Sequence, residues 1–189
     1  MNFLIIYAHP NHESLNYAIL QKVTANLSQQ HTIKVLDLYA ENYDPLLHFG
    51  KDKKRRDLYL DETTKAERTL VEWADHLVFI FPIWWGGMPA ILKGFIDKVF
   101  VKDFAYAYKG VRPVGLLPGK RAWIINTHDT PSFYAHLVQQ DYGKVLKKQV
   151  LNMCGIKPVT HTTCSYIRGS SLKKRTAFLK KVEQISKTL

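Results

Sequence analysis

Three clusters in this 189-residue chain have residue types and spacing suited to holding a ligand. The first is His9-Pro10-Asn11-His12-Glu13-Ser14-Leu15-Asn16, between an apolar run and an amphipathic helix. The first turn of a helix leaves backbone N–H groups without partners, and its dipole favours negative charge, so phosphate suits that position. The Ser14 hydroxyl and the Asn16 amide can donate to phosphate oxygens, with His9 close behind; Ser14 suits a plain N-cap equally well. The second cluster is Phe81-Pro82-Ile83-Trp84-Trp85-Gly86-Gly87-Met88-Pro89. Pro82 cannot donate to a strand ladder, the glycines let the backbone turn uncovered, and Pro89 suits the first turn of a helix. Two adjacent tryptophans on a turn want a flat partner, a subunit surface or the core. The third cluster, Asn126-Thr127-His128-Asp129, continues through Thr130-Pro131-Ser132-Phe133 to Tyr134. The Tyr134 phenol can donate a hydrogen bond to a substrate carbonyl or help protonate a product; it can equally be a tyrosine at a helix start.

These clusters need elements to bring them together. Residues 3–8 form an unbroken apolar run, as does His76 to Phe81, and both read as parallel strands covered on two faces. Further strands are expected at 32–38, 120–126 and 157–163. Helices follow with inward Leu15, Ala18, Ile19, Val23 and Leu27, then Ala66, Leu70, Trp73 and Ala74 after a capping box at Thr64-Lys65-Ala66-Glu67. The next carries Ile91, Leu92, Phe95, Ile96, Val99 and Phe100; one more is expected over 137–153, stopped by Gly155, and a last over 171–187 with Leu172, Phe178, Val182 and Ile185 inward. Residues 40–61 and 102–119 read as irregular. Alternating strands and helices predict an α/β doubly wound parallel sheet, and five strands in the flavodoxin-like order 2-1-3-4-5 fit best. The three clusters follow strands one, three and four, so all lie at the carboxyl edge of one sheet, beside its topological switch point.

Other chemistries lack their residues. There is no GxGxxG, no P-loop lysine and no GxSxG elbow. His12-Glu13 is not part of an HExxH, and His128 beside Asp129 suits neither a triad nor a metal clamp, so no metal site is expected. Cys154 and Cys164 have no zinc or CxxC spacing. The run at 3–8 is too short for a signal peptide and no apolar stretch nears membrane-spanning length, so a single reduced, cytoplasmic domain is expected. The 27 Lys+Arg against 16 Asp+Glu give +11, which favours anionic partners. Lys51, Lys53, Lys54, Arg55 and Arg56 form a basic cluster that reads as a solvated loop or as a peripheral docking site. Charge alone, without a motif, does not make a nucleic-acid-binding protein.

The segments YAHPNHESLNYAI (7–19), FIFPIWWGGMPAILKGFIDKVF (79–100), FAYAYKG (104–110) and LLPGKRAWIINT (116–127) resemble the flavodoxin-like NAD(P)H:quinone oxidoreductases, the family that includes DT-diaphorase and smaller bacterial NAD(P)H dehydrogenases. The resemblance implies noncovalent FMN or FAD. It assigns His9, Ser14, Leu15 and Asn16 to the phosphate side, Pro82, Ile83, Trp84, Trp85 and Gly86 to one ring edge, and Asn126, Thr127, His128 and Asp129 to the other. Tyr134 matches the tyrosine beside the nicotinamide and quinone site, and the family builds each site across a homodimer. Many members have Thr-Gly-Gly where this chain reads Thr127-His128-Asp129, and the family's histidine downstream of the tyrosine falls on Gln140. The implied activity is hydride transfer from NADH or NADPH to flavin N5 and on to a quinone or similar acceptor, with ping-pong kinetics from one shared slot. The rival readings are a one-electron flavodoxin-type carrier, against which +11 argues, and a cytoplasmic ancillary subunit of an ion-efflux system.

Overall fold

The computed structural model describes residues 1–139 and 143–189. Its centre is a sheet of five parallel strands: β1 (Asn2–Tyr7), β2 (Thr32–Asp37), β3 (His76–Pro82), and two further strands at Arg121–His128 and Val159–Ser165. Between β3 and the fourth of these lies a short antiparallel hairpin, β4 (Tyr106–Lys109) and β5 (Arg112–Gly115), in a stretch that sequence reads as irregular. The last two sheet strands are therefore β6 and β7, and the spatial order is β2-β1-β3-β6-β7. In terms of the sheet's own strands this is the expected order 2-1-3-4-5.

Alternation along β1 explains why its run is apolar throughout. Phe3, Ile5 and Tyr7 pack with α1 (Leu15–Leu27) and the C-terminal helix (Leu172–Ser186) on one face. Leu4, Ile6 and Ala8 pack on the other with α2 (Lys65–Trp73) and α3 (Ala90–Val99). Both faces are covered, so no strand position can be polar without cost. All six of the apolar positions expected on α3 and at its end are buried. A Cβ on Gly94 of α3 would sit 2.3 Å from the Pro45 carbonyl oxygen, so only glycine allows that approach.

Three local expectations change. Thr64 makes no side-chain cap; its hydroxyl instead accepts from Arg68 at 2.5 Å, and Asp61 accepts from the Thr63 N–H at 3.1 Å to start the segment. On α2, Arg68 and Val71 are buried, Leu70 and Trp73 pack partly buried against the core and Ala74 just beyond is buried, as expected, whereas Ala66 is exposed. Leu172 lies at the exposed start of the last helix rather than inward. The segment after β6 is a short turn, α4 (Ser132–Tyr134), running into a wider π-helical stretch over Ala135–Gln139, with a second at Leu146–Leu151. The last helix is α5. Gly155 takes φ +89°, as a residue ending a helix does.

Candidate functional site

The register sets the site. Tyr7 lies opposite Ile80 and Pro82 opposite Thr127, so the loops leaving β1, β3 and β6 emerge side by side. At the first loop, Ser14 caps α1: its Oγ accepts from the Tyr17 N–H at 3.2 Å, while the buried Tyr7 hydroxyl stands 3.5 Å from it. Burial pushes the Tyr7 phenol up to about 12, so it stays neutral and available as a donor. The first intrahelical bonds run from Tyr17 and Ala18 to the Ser14 carbonyl, which leaves the N–H groups of Leu15 and Asn16 ahead of the ladder. His9 Nδ1 lies 3.0 Å from the Asn11 N–H and 3.1 Å from the Asn11 carbonyl oxygen, so the two groups compete for one ring nitrogen. Desolvation lowers the His9 pKa below the usual imidazole range, which keeps the ring neutral.

The second loop is a tight hairpin turn. Trp84 and Gly87 exchange both backbone hydrogen bonds, at 3.0 and 3.1 Å, around Trp85 (φ +50°) and Gly86 (φ +80°). Two consecutive positive φ values define a type I′ turn. Glycine adopts that freely, but a tryptophan there costs about 1–2 kcal/mol. Trp85 is nevertheless fully exposed, and Trp84 is 42% exposed, so neither is a core residue of a packed turn. The Ile83 N–H donates to the Thr127 carbonyl at 2.7 Å and binds this turn to the third loop.

At the third loop β6 runs two residues past its expected end, so Thr127 and His128 are strand residues. Asn16 Nδ2 donates to Thr127 Oγ1 at 2.9 Å in a buried contact. Asn16 Oδ1 is also buried and, among the described residues, has no hydrogen-bond partner. The His128 carbonyl accepts from the Ile167 N–H at 3.2 Å. Asp129 Oδ1 accepts from the Arg168 N–H at 2.7 Å, and Asp129 Oδ2 stands 3.5 Å from the Arg168 guanidinium.

These pieces enclose one cleft of about 400 Å³. Its wall takes His9, Ser14, Leu15 and Asn16 from the first loop, Pro82, Ile83, Trp84, Trp85 and Gly86 from the second, and Thr127, His128 and Asp129 from the third. Asn126 is fully buried and does not reach the cleft, and half-exposed Tyr134 is not part of its wall. Gln140 lies outside the described residues. Thr130 and Ile167 line the cleft without having been expected. Ile167 follows β7 at the same carboxyl edge, so the switch-point rule could have pointed to it; its lone apolar side chain carries no signal of its own. Of the basic cluster, Lys53 pairs with Asp61 and Arg56 approaches Asp57 at 3.8 Å.

The donor set fits a flat ring with an anionic tail. Backbone N–H groups at a helix start receive the anion, a buried acceptor on Asn16 awaits a donor, and indoles line an open rim. Two other cavities, of about 430 Å³ each, lie elsewhere: one beside Arg55, Phe100 and Tyr106, the other beside Glu41, Tyr43 and Glu67. Neither lies where the strand ends converge. No helix among the described residues is long and apolar enough to cross a membrane.

Comparison with known proteins agrees with this geometry. A family model described as flavodoxin-like fold matches residues 1–189. The chain is 32% identical over 164 residues to a Haemophilus influenzae protein named as an uncharacterized NAD(P)H oxidoreductase, covering 84% of this chain and 81% of that one. It is 33% identical over 179 residues to the ribosyldihydronicotinamide dehydrogenase [quinone] of Pongo abelii, covering 82% and 77% of the two chains. The crystal structure of Smu.1420 from Streptococcus mutans UA159 superposes with a TM-score of 0.97 at 57% identity, over 100% of both chains.

Proposed function

Because this chain belongs to the flavodoxin-like family of NAD(P)H:quinone oxidoreductases, we propose that its three-loop cleft holds a flavin noncovalently and that the protein oxidises NADH or NADPH at the expense of a quinone or similar acceptor. The observation that carries this reading is the meeting of all three loops around one cleft whose helix start is free to take a phosphate. When bound, a flavin would supply two-electron hydride chemistry, and one slot shared by donor and acceptor would give ping-pong kinetics.

The chain's own residues do the rest. Leu15 and Asn16 N–H groups, the Ser14 hydroxyl and neutral His9 hold the phosphate side. Pro82, Ile83, Trp84, Trp85 and Gly86 lie along one ring edge, and Thr127 with His128 along the other. Asn126, buried behind Thr127, supports that strand end and does not touch the ring. Asp129 is engaged by Arg168, so it adds no free carboxylate against an electron-rich ring. The indoles shed water from the reacting face. Tyr134, the last residue of α4, reaches the acceptor from outside the cleft wall and donates a hydrogen bond to it.

FMN is proposed first, with FAD as the alternative that the first loop equally suits. A homodimer accounts for the exposed Phe133, Leu137 and Val138 beside Tyr134, which a second subunit would cover. Buried, unpaired Cys154 and Cys164 suit the reducing cytoplasm. The test is titration of the flavin-free protein with FMN and with FAD, followed by flavin fluorescence. Saturable binding of one flavin per chain, tighter for FMN, is expected; failure to take up either contradicts the reading.

A further inference from the structure

Where many relatives are expected to carry glycines, this chain has His128 and Asp129, and the structure shows what the acidic residue does. Its carboxylate turns to the loop after β7, accepting the Arg168 N–H at 2.7 Å. The same loop is fixed by the Ile167 N–H on the His128 carbonyl and by the Ser170 hydroxyl on the Ile167 carbonyl. Ile167 is thereby held as cleft wall, and the next residue, Arg168, lies outside that wall with its guanidinium 3.5 Å from the carboxylate of cleft-lining Asp129. Its guanidinium is 89% exposed and reaches Asp129 only at 3.5 Å. An ion pair that open contributes little to stability. The backbone bond, short and charge-assisted, does the latching, and most of the guanidinium's N–H groups face solvent.

We propose that Asp129 is a positioning residue that latches this loop and presents Arg168 at the cleft mouth as a specificity-determining contact for a phosphate group of the dinucleotide hydride donor. This deepens the reading above and rests on it. A dihydronicotinamide stacked in the cleft must trail its phosphates out past the rim, and Arg168 is the fork-shaped cation at the side closed by Asp129 and Ile167. Guanidinium binds phosphate through paired N–H bonds that a lysine cannot reproduce.

Arg168→Gln tests this, with Arg168→Lys, Asp129→Asn and Asp129→Ala beside it. The readouts are steady-state kinetics with NADPH, NADH and a reduced nicotinamide bearing no phosphate, and calorimetric binding of NADP⁺ to the flavin-loaded protein. Arg168→Gln is expected to raise the NADPH KM and the NADP⁺ Kd about tenfold, the size of one charge-assisted hydrogen bond, with kcat little changed. Arg168→Lys should recover only part of the loss. Asp129→Asn, which keeps an oxygen acceptor for the Arg168 N–H, should lie much nearer wild type than Asp129→Ala. Losses with NADPH alone identify the 2′-phosphate as the group held; equal losses with NADH identify the pyrophosphate. Unchanged NADP⁺ affinity in Arg168→Gln, or an equal loss with the phosphate-free donor, overturns the proposal. A wild-type protein that no reduced nicotinamide can reduce would sink the oxidoreductase reading itself, a different result from an Arg168 variant indistinguishable from an active wild type.

Discussion

Asn16 and Thr127 are separated by 111 residues in sequence and joined by one buried hydrogen bond of 2.9 Å, Nδ2–H to Oγ1. This bond ties the start of α1 to the end of β6 across the mouth of the switch point. It also uses one half of the Asn16 amide and leaves the other half buried beside the cleft without a partner among the described residues. A buried acceptor left unmade costs about 1–3 kcal/mol, which a bound ligand's donor would recover.

Asn16→Asp keeps the shape of that side chain and adds a negative charge to the first turn of α1. A carboxylate at this buried position also loses the amide donor to Thr127 Oγ1, so a lower thermal midpoint is expected and binding is compared where the variant is folded. An anionic ligand at the same place would be repelled. Flavin affinity is expected to fall at least about tenfold, read by fluorescence titration. An Asn16→Asp protein that binds flavin as wild type does would show that the phosphate lies elsewhere.

Trp85→Gly separates strain from function. Glycine removes the cost of positive φ, and the indole it deletes touches no core, so stability in urea should hold or rise by up to about 1 kcal/mol. If the indole serves the cleft, turnover or acceptor affinity falls in the same variant. A variant that is more stable and fully active would make Trp85 an accident of the turn.

His76 gives the fold an acid-sensitive point far from the cleft. Its ring stacks on Phe3 at 4.9 Å, and Phe3 stacks in turn on His31 at 4.9 Å. Desolvation first, and then nearby Arg121 and His31, lower its pKa to about 4 from 6.5. The unfolded chain therefore binds the proton more readily, so stability present above pH 6.5 is lost as pH falls toward 4. A shift of that size corresponds to roughly 3 kcal/mol. His76→Phe should flatten this part of the stability–pH curve, measured by urea unfolding at several pH values; an unchanged slope would assign the acid loss to other groups.

Gly94→Ala tests the packing beneath α3. An added Cβ would lie 2.3 Å from the Pro45 carbonyl oxygen and 2.4 Å from its Cα, both backbone atoms that cannot swing aside. A loss of about 1–3 kcal/mol is expected despite alanine's better helix propensity. A gain in thermal midpoint would mean that the 40–50 segment moves away readily.

The architecture was legible because burial on two faces writes itself as unbroken apolar runs, and β1 and β3 have them. The hairpin β4–β5 was not, because its Tyr, Gly and Pro residues carry no clear alternation. On α2, Leu70, Trp73 and Ala74 face inward as expected, but sequence does not reveal that Arg68, a charged residue, is buried beside them through hydrogen bonds to the Asp61 carbonyl and the Thr64 hydroxyl rather than through an ion pair. At the site, switch-point topology sufficed to bring Ser14, Trp85 and Thr127 to one cleft. It could not show that Asn126 is buried away from the cleft, that Tyr134 stands outside the wall, or that Asp129 serves a neighbouring loop. Those depend on strand length and on side-chain partners distant in sequence.

The measurement that bears most directly on the account is anaerobic reduction of the flavin-loaded protein by NADPH or NADH, followed by the visible flavin absorbance before and after a quinone is added. Loss of the oxidised flavin bands with one equivalent of donor, and their return on adding quinone without any partner protein, is the predicted result. Bands that persist in excess of either donor, in protein carrying a full complement of flavin, would contradict it.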